Sequence, residues 1–277
     1  MENSPPCMSV RSPSVAGTFY PGRAEELRRA VDSTLPTVPK ERALAVVVPH
    51  AGYVYSGKVA GAVYGRIEIP RDVVILGFNH RGFGSDFGVW REGGWITPLG
   101  QAPVHTELAD AIKGAFLPAD FDETGHLEEH SGEVQIPFLQ RLRPDLRIVP
   151  VALSVGLDER SFRQLLAFGQ ALAGLREEFL VVASTDLNHY ESQEVTLRKD
   201  KAVIAAIEAL DPEALRHTLS ELGVSMCGYA PTIAGVAYAR AKGATRARTV
   251  LHATSGEVSG DYDRVVGYVG MIIPCGN

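Results

Sequence analysis

Residues 43–50 read ALAVVVPH, a continuous run of apolar side chains that ends at once in Pro49 and His50. A short Val-rich run bounded by turn residues is the pattern of a strand buried on both faces, because a strand with one wet face alternates apolar and polar positions. The same signature recurs at 72–77 (DVVILG), 147–153 (RIVPVAL), 179–183 (FLVVA), 248–252 (RTVLH) and 264–273 (RVVGYVGMII). Between these runs, apolar positions repeat at helical spacing over 158–173, 194–210 and 230–242. Asp211 followed by Pro212 reads as an N-cap and a first-turn proline. Strands alternating with helices predict an α/β fold, a mostly parallel β-sheet flanked by helices. The Gly-rich, aromatic stretch 83–104 has no helical period and reads as a hairpin or an insertion. The prolines of 33–42 (STLPTVPKER) mark a loop rather than a boundary, so residues 1–277 are expected to form one domain.

Composition excludes several classes. The chain carries 27 Lys+Arg against 33 Asp+Glu, a formal charge of −6, with neither sign gathered into a tail. Nucleic-acid binding therefore lacks its basic footprint. No apolar run approaches the roughly 20 residues that cross a bilayer, and MENSPPCMSVRSPS has no signal-peptide core, so a cytoplasmic protein without membrane contact is expected. Cys7, Cys227 and Cys275 are an odd number and widely spaced, which fits no disulfide framework.

The chemistry is signalled by position. Three buried-strand candidates run almost directly into a histidine: ALAVVV into His50, DVVILG into Phe78-Asn79-His80, and FLVVA into Ser184-Thr185-Asp186-Leu187-Asn188-His189. Ligands of open α/β sheets collect in the crevice outside the carboxyl ends of the strands, so these imidazoles can share a pocket. Each alone reads as a polar loop residue; three in one structural position argue for a site. Imidazole suits zinc, iron, copper and nickel, and a thiolate adds a soft donor, which makes His50, His80 and Cys227 a candidate metal set. Asp186 and His189 would share one face of a helical turn, with the carboxylate orienting the ring; as a plain alternative, Asp186 caps a helix.

Other motifs read more simply. Residues 52–59 (GYVYSGKV) miss the phosphate-binding P-loop at Val59, where a hydroxyl is needed, and fit a turn at Gly52, a cap at Ser56 and a solvated Lys58. Ser131 is expected to cap a helix, with Glu128, Glu129 and His130 crowding its start and His130 available as a supporting group. Asp261 lies between turn residues. His105, His126, His217 and His252 have no such company and read as surface or core histidines.

Taken in order, RSPSVAGTFYP (11–21), PHAGYVYSG (49–57), LGFNH (76–80), EHSGEVQIPFL (129–139), ASTDLNHY (183–190), MCG (226–228) and SGD (259–261) resemble the Memo family, whose prokaryotic members are called AmmeMemoRadiSam system protein B. The resemblance implies a fold similar to the class III extradiol dioxygenases (LigB-like), a cleft able to hold a metal, and a mononuclear Fe(II) as the first choice, with Cu or Zn as alternatives. Carried over by motif, His50 and His80 match two histidine ligands, Cys227 stands where a carboxylate would be, and His189 with Asp186 matches an acid/base histidine. Tyr53, His130 and Asp261 fall in the surrounding pocket. Relatives usually have Pro-Ser-His where this chain has Phe78-Asn79-His80, and often an Arg where it has Tyr229, which removes a fixed anion donor.

The expected function is a dioxygenase-like oxidoreductase on a small substrate. A non-catalytic cleft for a peptide or partner is the alternative, and a hydrolase with Cys227 as nucleophile and His189 as base is a third. The resemblance also implies a functional link to AMMECR-like and radical SAM proteins.

Overall fold

A computed structural model describes residues 9–276; Cys7 lies outside the described residues. The first buried run forms β2 (Ala43–Val48), preceded by a short β1 (Val10–Arg11) and α1 (Ala24–Asp32). It lies in a parallel core with β3 (Asp72–Phe78), β8 (Arg147–Leu153) and β9 (Leu180–Ser184), in the spatial order β2, β9, β3, β8. Side chains divide by the period of two. Ala45, Val47, Val74, Leu76, Val181 and Ala183 enter one apolar cluster, while Val46, Val48, Val73, Ile75, Leu180 and Val182 enter the other. Both faces are therefore covered, as a continuous apolar run requires.

The first cluster is closed by α3 (Thr106–Ala115), α5 (Glu159–Ala173), α6 (Gln193–Glu208), α7 (Pro212–Glu221) and α8 (Tyr229–Ala241). The second is closed by α1, α2 (Tyr53–Tyr64) and α4 (Ile136–Leu142). Asp211 caps α7 by accepting from Ala214 N, with Pro212 in the first turn. Ser56 does not cap α2, which already begins at Tyr53; its hydroxyl donates back to the Ala51 carbonyl at 2.7 Å.

The flanks are antiparallel. On one side of β2 lie β12 (Val265–Pro274), β11 (Arg248–Thr254) and β10 (His189–Glu191), with the one-turn α9 (Gly256–Ser259) joining β11 to β12. So short a connection can only return the chain antiparallel, since a parallel return needs a crossover of a dozen residues or more. On the other side lie β4 (Phe87–Val89) and β7 (Asp120–Phe121). The stretch read as a hairpin or insertion contains β4 and then the hairpin of β5 (Gly94–Thr97) and β6 (Gly100–Pro103), on which β1 pairs in parallel as a separate small sheet. No helix among the described residues is long and apolar enough to cross a membrane.

The hairpin packs onto His126, a buried histidine between the Trp90 and Trp95 rings whose Nε2–H donates to the Gly88 carbonyl at 2.9 Å. Burial pushes its pKa down to about 4, against the Gly88 carbonyl, which favours a proton on the ring. The unfolded chain, with an ordinary histidine near 6.5, takes up a proton that the folded state refuses until about pH 4. Stability is thus whole above pH 6.5 and falls between 6.5 and 4, by about 3 kcal/mol from this group. Urea unfolding at pH 7 and pH 4.5 should show that loss reduced in His126→Gln; an equal loss in both proteins refutes the assignment.

Candidate metal centre

The parallel core delivers the site. Val48 pairs with Ser184 and Leu76 with Ala183, so β2, β9 and β3 end nearly level, and their continuations leave the sheet together. His50 follows β2 after Pro49, and His80 follows β3 after Asn79. A third imidazole, His130, arrives from the loop ahead of the 3-10 turn Glu133–Gln135. That loop rests on the end of β3, where Ser131 donates its hydroxyl to the Phe78 carbonyl at 2.8 Å. Only glycine fits at position 77, because a Cβ there would come 2.7 Å from Ser131 Oγ. Ser131 is thus a strut between loop and strand and not the expected helix cap.

One donor atom each from His50, His80 and His130 lies within 4.8 Å of the others. The His80 and His130 rings stack at 4.8 Å between centroids, and His50 stands edge-on to both at 5.2 and 5.3 Å. Hydrogen bonds assign the tautomers. Ser184 Oγ spends its one proton on the Ser131 carbonyl (2.6 Å) and accepts from Gln135 Nε2 (2.9 Å), so at 3.0 Å it must accept from His50 Nδ1–H. Glu129 accepts from His80 Nδ1–H at 3.0 Å and from the His80 backbone N–H at 2.7 Å, and its Oε1 lies 3.4 Å from His130 Nδ1. The nitrogen left over on His50 and on His80 is Nε2. Together with a donor atom of His130 they share one small space.

Burial disfavours the charged form of His50 and His130. Burial drives the His50 pKa well below 6.5, and the neighbouring His130 and His80 push the same way. Burial brings His130 down to about 4 against the opposing pull of Glu129. Glu129 itself is buried, which alone would raise its pKa, yet the hydrogen bond from His80, the nearness of the His80 and His130 rings and the Ser131 N–H hold it at about 2. Neutral imidazoles backed by a carboxylate or a hydroxyl are the form in which histidine binds metals. Their donor atoms lie within 4.8 Å of one another, so a modest inward movement of the rings would bring each to a metal–nitrogen bond of about 2.1 Å. The residues fit a metal ion.

Cys227 borders the group, with Sγ 3.1 Å from His50 Nε2. Since His50 Nδ1 carries the ring proton, the thiol donates. Burial and the nearby Asp186 carboxylate push the Cys227 pKa upward, in keeping with a protonated sulfur. Gly228 next to it lets the start of α8 press onto β9, for a Cβ there would collide with the Ser184 carbonyl and the Thr185 side chain.

Asp186 belongs to His50 and not to His189. Its Oδ1 accepts from His50 N–H at 2.9 Å and Ala51 N–H at 3.4 Å, and burial raises its pKa to about 7 against those two bonds. The chain leaves β9 extended, so positions 186 and 189 do not share the helical face that a turn would give them. His189 is instead held by Ser225, which accepts the His189 N–H on Oγ (2.8 Å) and Nδ1–H on its carbonyl (2.9 Å), again leaving Nε2 free. Burial lowers its pKa, and charge on His80 would lower it further. Tyr190, beside it, adopts φ 60°, a left-handed conformation that costs about 1 kcal/mol for a side chain of this size.

Tyr53 has another task, since its hydroxyl donates to the Val134 carbonyl at 2.6 Å and its ring packs on Phe138. Asp261 lies in an exposed turn, accepting from Asp263 N–H. Tyr229 turns its hydroxyl to the Val155 carbonyl at 2.8 Å, so it offers no anion donor. Glu129, Ser184 and Ser225, the three groups that set the tautomers, do not stand out in the sequence; only the repeated Glu-His pattern at 128–130 hinted at the first.

Comparisons with known proteins cover nearly the whole chain. The family described as "Memo-like protein" matches residues 11–272. A MEMO1 family protein of Aquifex aeolicus is 42% identical over 270 residues, covering 96% of this chain and 99% of the relative. One from Thermotoga neapolitana is 44% identical over 285 residues, with 95% and 99% covered, and one from Methanothermobacter thermautotrophicus is 39% identical over 272, with 94% and 98% covered. Among solved structures, the uncharacterized protein JW3007 from Escherichia coli K12 matches at a TM-score of 0.56 and 15% identity, over 83% of this chain and 100% of that one, a likeness of fold alone. This chain belongs to the Memo-like protein family.

Proposed function

We propose that the cluster of His50, His80 and His130, bordered by Cys227, binds a mononuclear metal ion, Fe(II) first and Cu or Zn as alternatives, and that the protein is a cytoplasmic, dioxygenase-like oxidoreductase acting on a small oxygen-containing substrate. The observation that carries this reading is the shared space among donor atoms of three imidazoles, two of which, His50 and His80, have Nδ1–H committed to Ser184 and Glu129. Uncharged rings facing one another in this way gain nothing from each other and gain much from a cation. Bound Fe(II) would supply Lewis acidity and one-electron chemistry toward an oxygen ligand.

The chain's own residues do the rest. His189, neutral by burial and with Nδ1–H donated to Ser225, accepts a substrate hydroxyl proton at Nε2 and can return it later. Phe19 and Phe78 pack on one face of His130 and of His80 at 4.8 and 4.9 Å and leave both rings open to the cleft on the other side. Tyr229 closes against Phe78 at 5.8 Å with its hydroxyl committed elsewhere, so this wall is aromatic and uncharged. Cys227 offers a softer donor that must lose its proton before it can bind.

Protein purified without oxygen and loaded with Fe(II) should carry about one ion per chain by plasma emission, and His50→Ala and His80→Ala should fall below about a tenth of that. Wild-type protein that retains no Fe, Cu or Zn sinks the reading and leaves the cleft to a binding role. In the metal-free protein at pH 8, iodoacetamide should label Cys227 at least about tenfold more slowly than in the unfolded chain, because the buried thiol stays protonated. Fast labelling would instead favour a nucleophilic cysteine.

A further inference from the structure

The most heavily bonded ionic group of the molecule lies outside the imidazole cluster, in the segment that begins the described chain. Arg11 is 1% exposed, and its guanidinium lies 4.1 Å over the Trp95 ring. Nη1 donates to Glu133 Oε2 at 2.7 Å; Nε and Nη2 donate to the backbone carbonyls of His126 (2.7 Å) and Glu129 (2.6 Å). Glu133, fully buried, also accepts from Ser14 N–H and Oγ–H, from Val15 N–H and from the Tyr20 hydroxyl. A buried ion pair is a poor way to stabilise a fold, because desolvation consumes most of the attraction. What a guanidinium supplies better than any other side chain is direction, through N–H bonds in a fixed planar fork.

The two carbonyls it grips bracket the turn 126–129, and the Glu129 side chain leaves that turn toward His80 and His130. From this geometry we infer that Arg11 is a positioning residue of the imidazole centre: seated by Glu133, it fixes the backbone from which Glu129 holds His80 Nδ1 and faces His130 Nδ1 at 3.4 Å. The same clamp ties down residues 14–20. Phe19, which covers His130, is held in turn by its carbonyl accepting from Tyr53 N–H at 2.7 Å. His50 is reached only at one remove, because its Nδ1 answers to Ser184 on β9, whose hydroxyl donates to the Ser131 carbonyl. The inference thus ranks the three rings, with His80 and His130 beside the residue that Arg11 grips and His50 buffered from it by the strand. Its consequence for metal affinity rests on the function proposed above, whereas its consequence for ring geometry does not.

The test is Arg11→Lys in the full chain. Lysine keeps the charge for Glu133 but cannot reach both carbonyls from one point charge. In the metal-free protein, long-range proton–nitrogen spectra of the histidine rings should show His80 passing from a single Nδ1–H tautomer to a mixture and the His130 nitrogen signals moving with it, with His50 changed least. Co(II) titrated into the same variant should bind about ten- to a hundredfold more weakly, with its visible bands moved toward those of His130→Ala. Tautomers unchanged at all three rings, or disturbed equally at all three, overturn the inference. Ring changes as expected in a protein whose wild type binds no Co(II) uphold the positioning role and defeat only the metal reading. If Arg11→Lys does not fold, Glu129→Ala carries the test, since Arg11 holds only the backbone of that residue: release of His80 and a shift at His130 with His50 changed least supports the inference, and unchanged rings overturn it.

Discussion

A neutral imidazole has one lone pair to offer, and the proton on its other nitrogen decides which one. In this protein three rings at the carboxyl end of the core sheet have surrendered Nδ1–H to a fixed acceptor: Ser184 for His50, Glu129 for His80, the Ser225 carbonyl for His189. The remaining nitrogens are thereby aimed before any ligand arrives, and the Cys227 thiol occupies the one on His50 until it is displaced. The acceptors come from strand, loop and helix start alike, so the centre depends on the fold as a whole.

Burial and charge divide the work at this site. Burial disfavours charge on the imidazoles and so preserves their lone pairs. The same burial would protonate Glu129, and it stays ionised because His80 and His130 share its proton acceptors. Asp186 has no such imidazole partner; it accepts only backbone N–H groups, and its pKa rises to about 7. Two carboxylates near the same rings thus differ because Glu129 adds a ring N–H of His80 to its backbone donors and Asp186 has backbone donors alone.

Much of the architecture was legible in the sequence. The buried runs beginning at Ala43, Asp72, Arg147, Phe179, Arg248 and Arg264 all fall on strands, and Asp211 with Pro212 opens α7, because local periodicity and capping chemistry act over a few residues. The antiparallel sense of β11 and β12 was not legible, since direction follows from the length of the connection and from which edge is free. Ser56 and Ser131 read as caps but act through their hydroxyl protons, a choice made by which carbonyl lies nearby.

The site divides along the same line. Histidines placed just after buried strands can be read from the sequence, because a parallel sheet with covered faces must present its strand ends together. Which side chain backs each of them was decided by tertiary structure alone. Asp186 serves His50 across 136 positions, Glu129 serves His80 across 49, and Arg11 grips the Glu129 carbonyl across 118. Contacts at such separations leave no periodic trace in the chain; they exist only once the β-strand ends, the 126–130 turn and the N-terminal segment have been packed against one another.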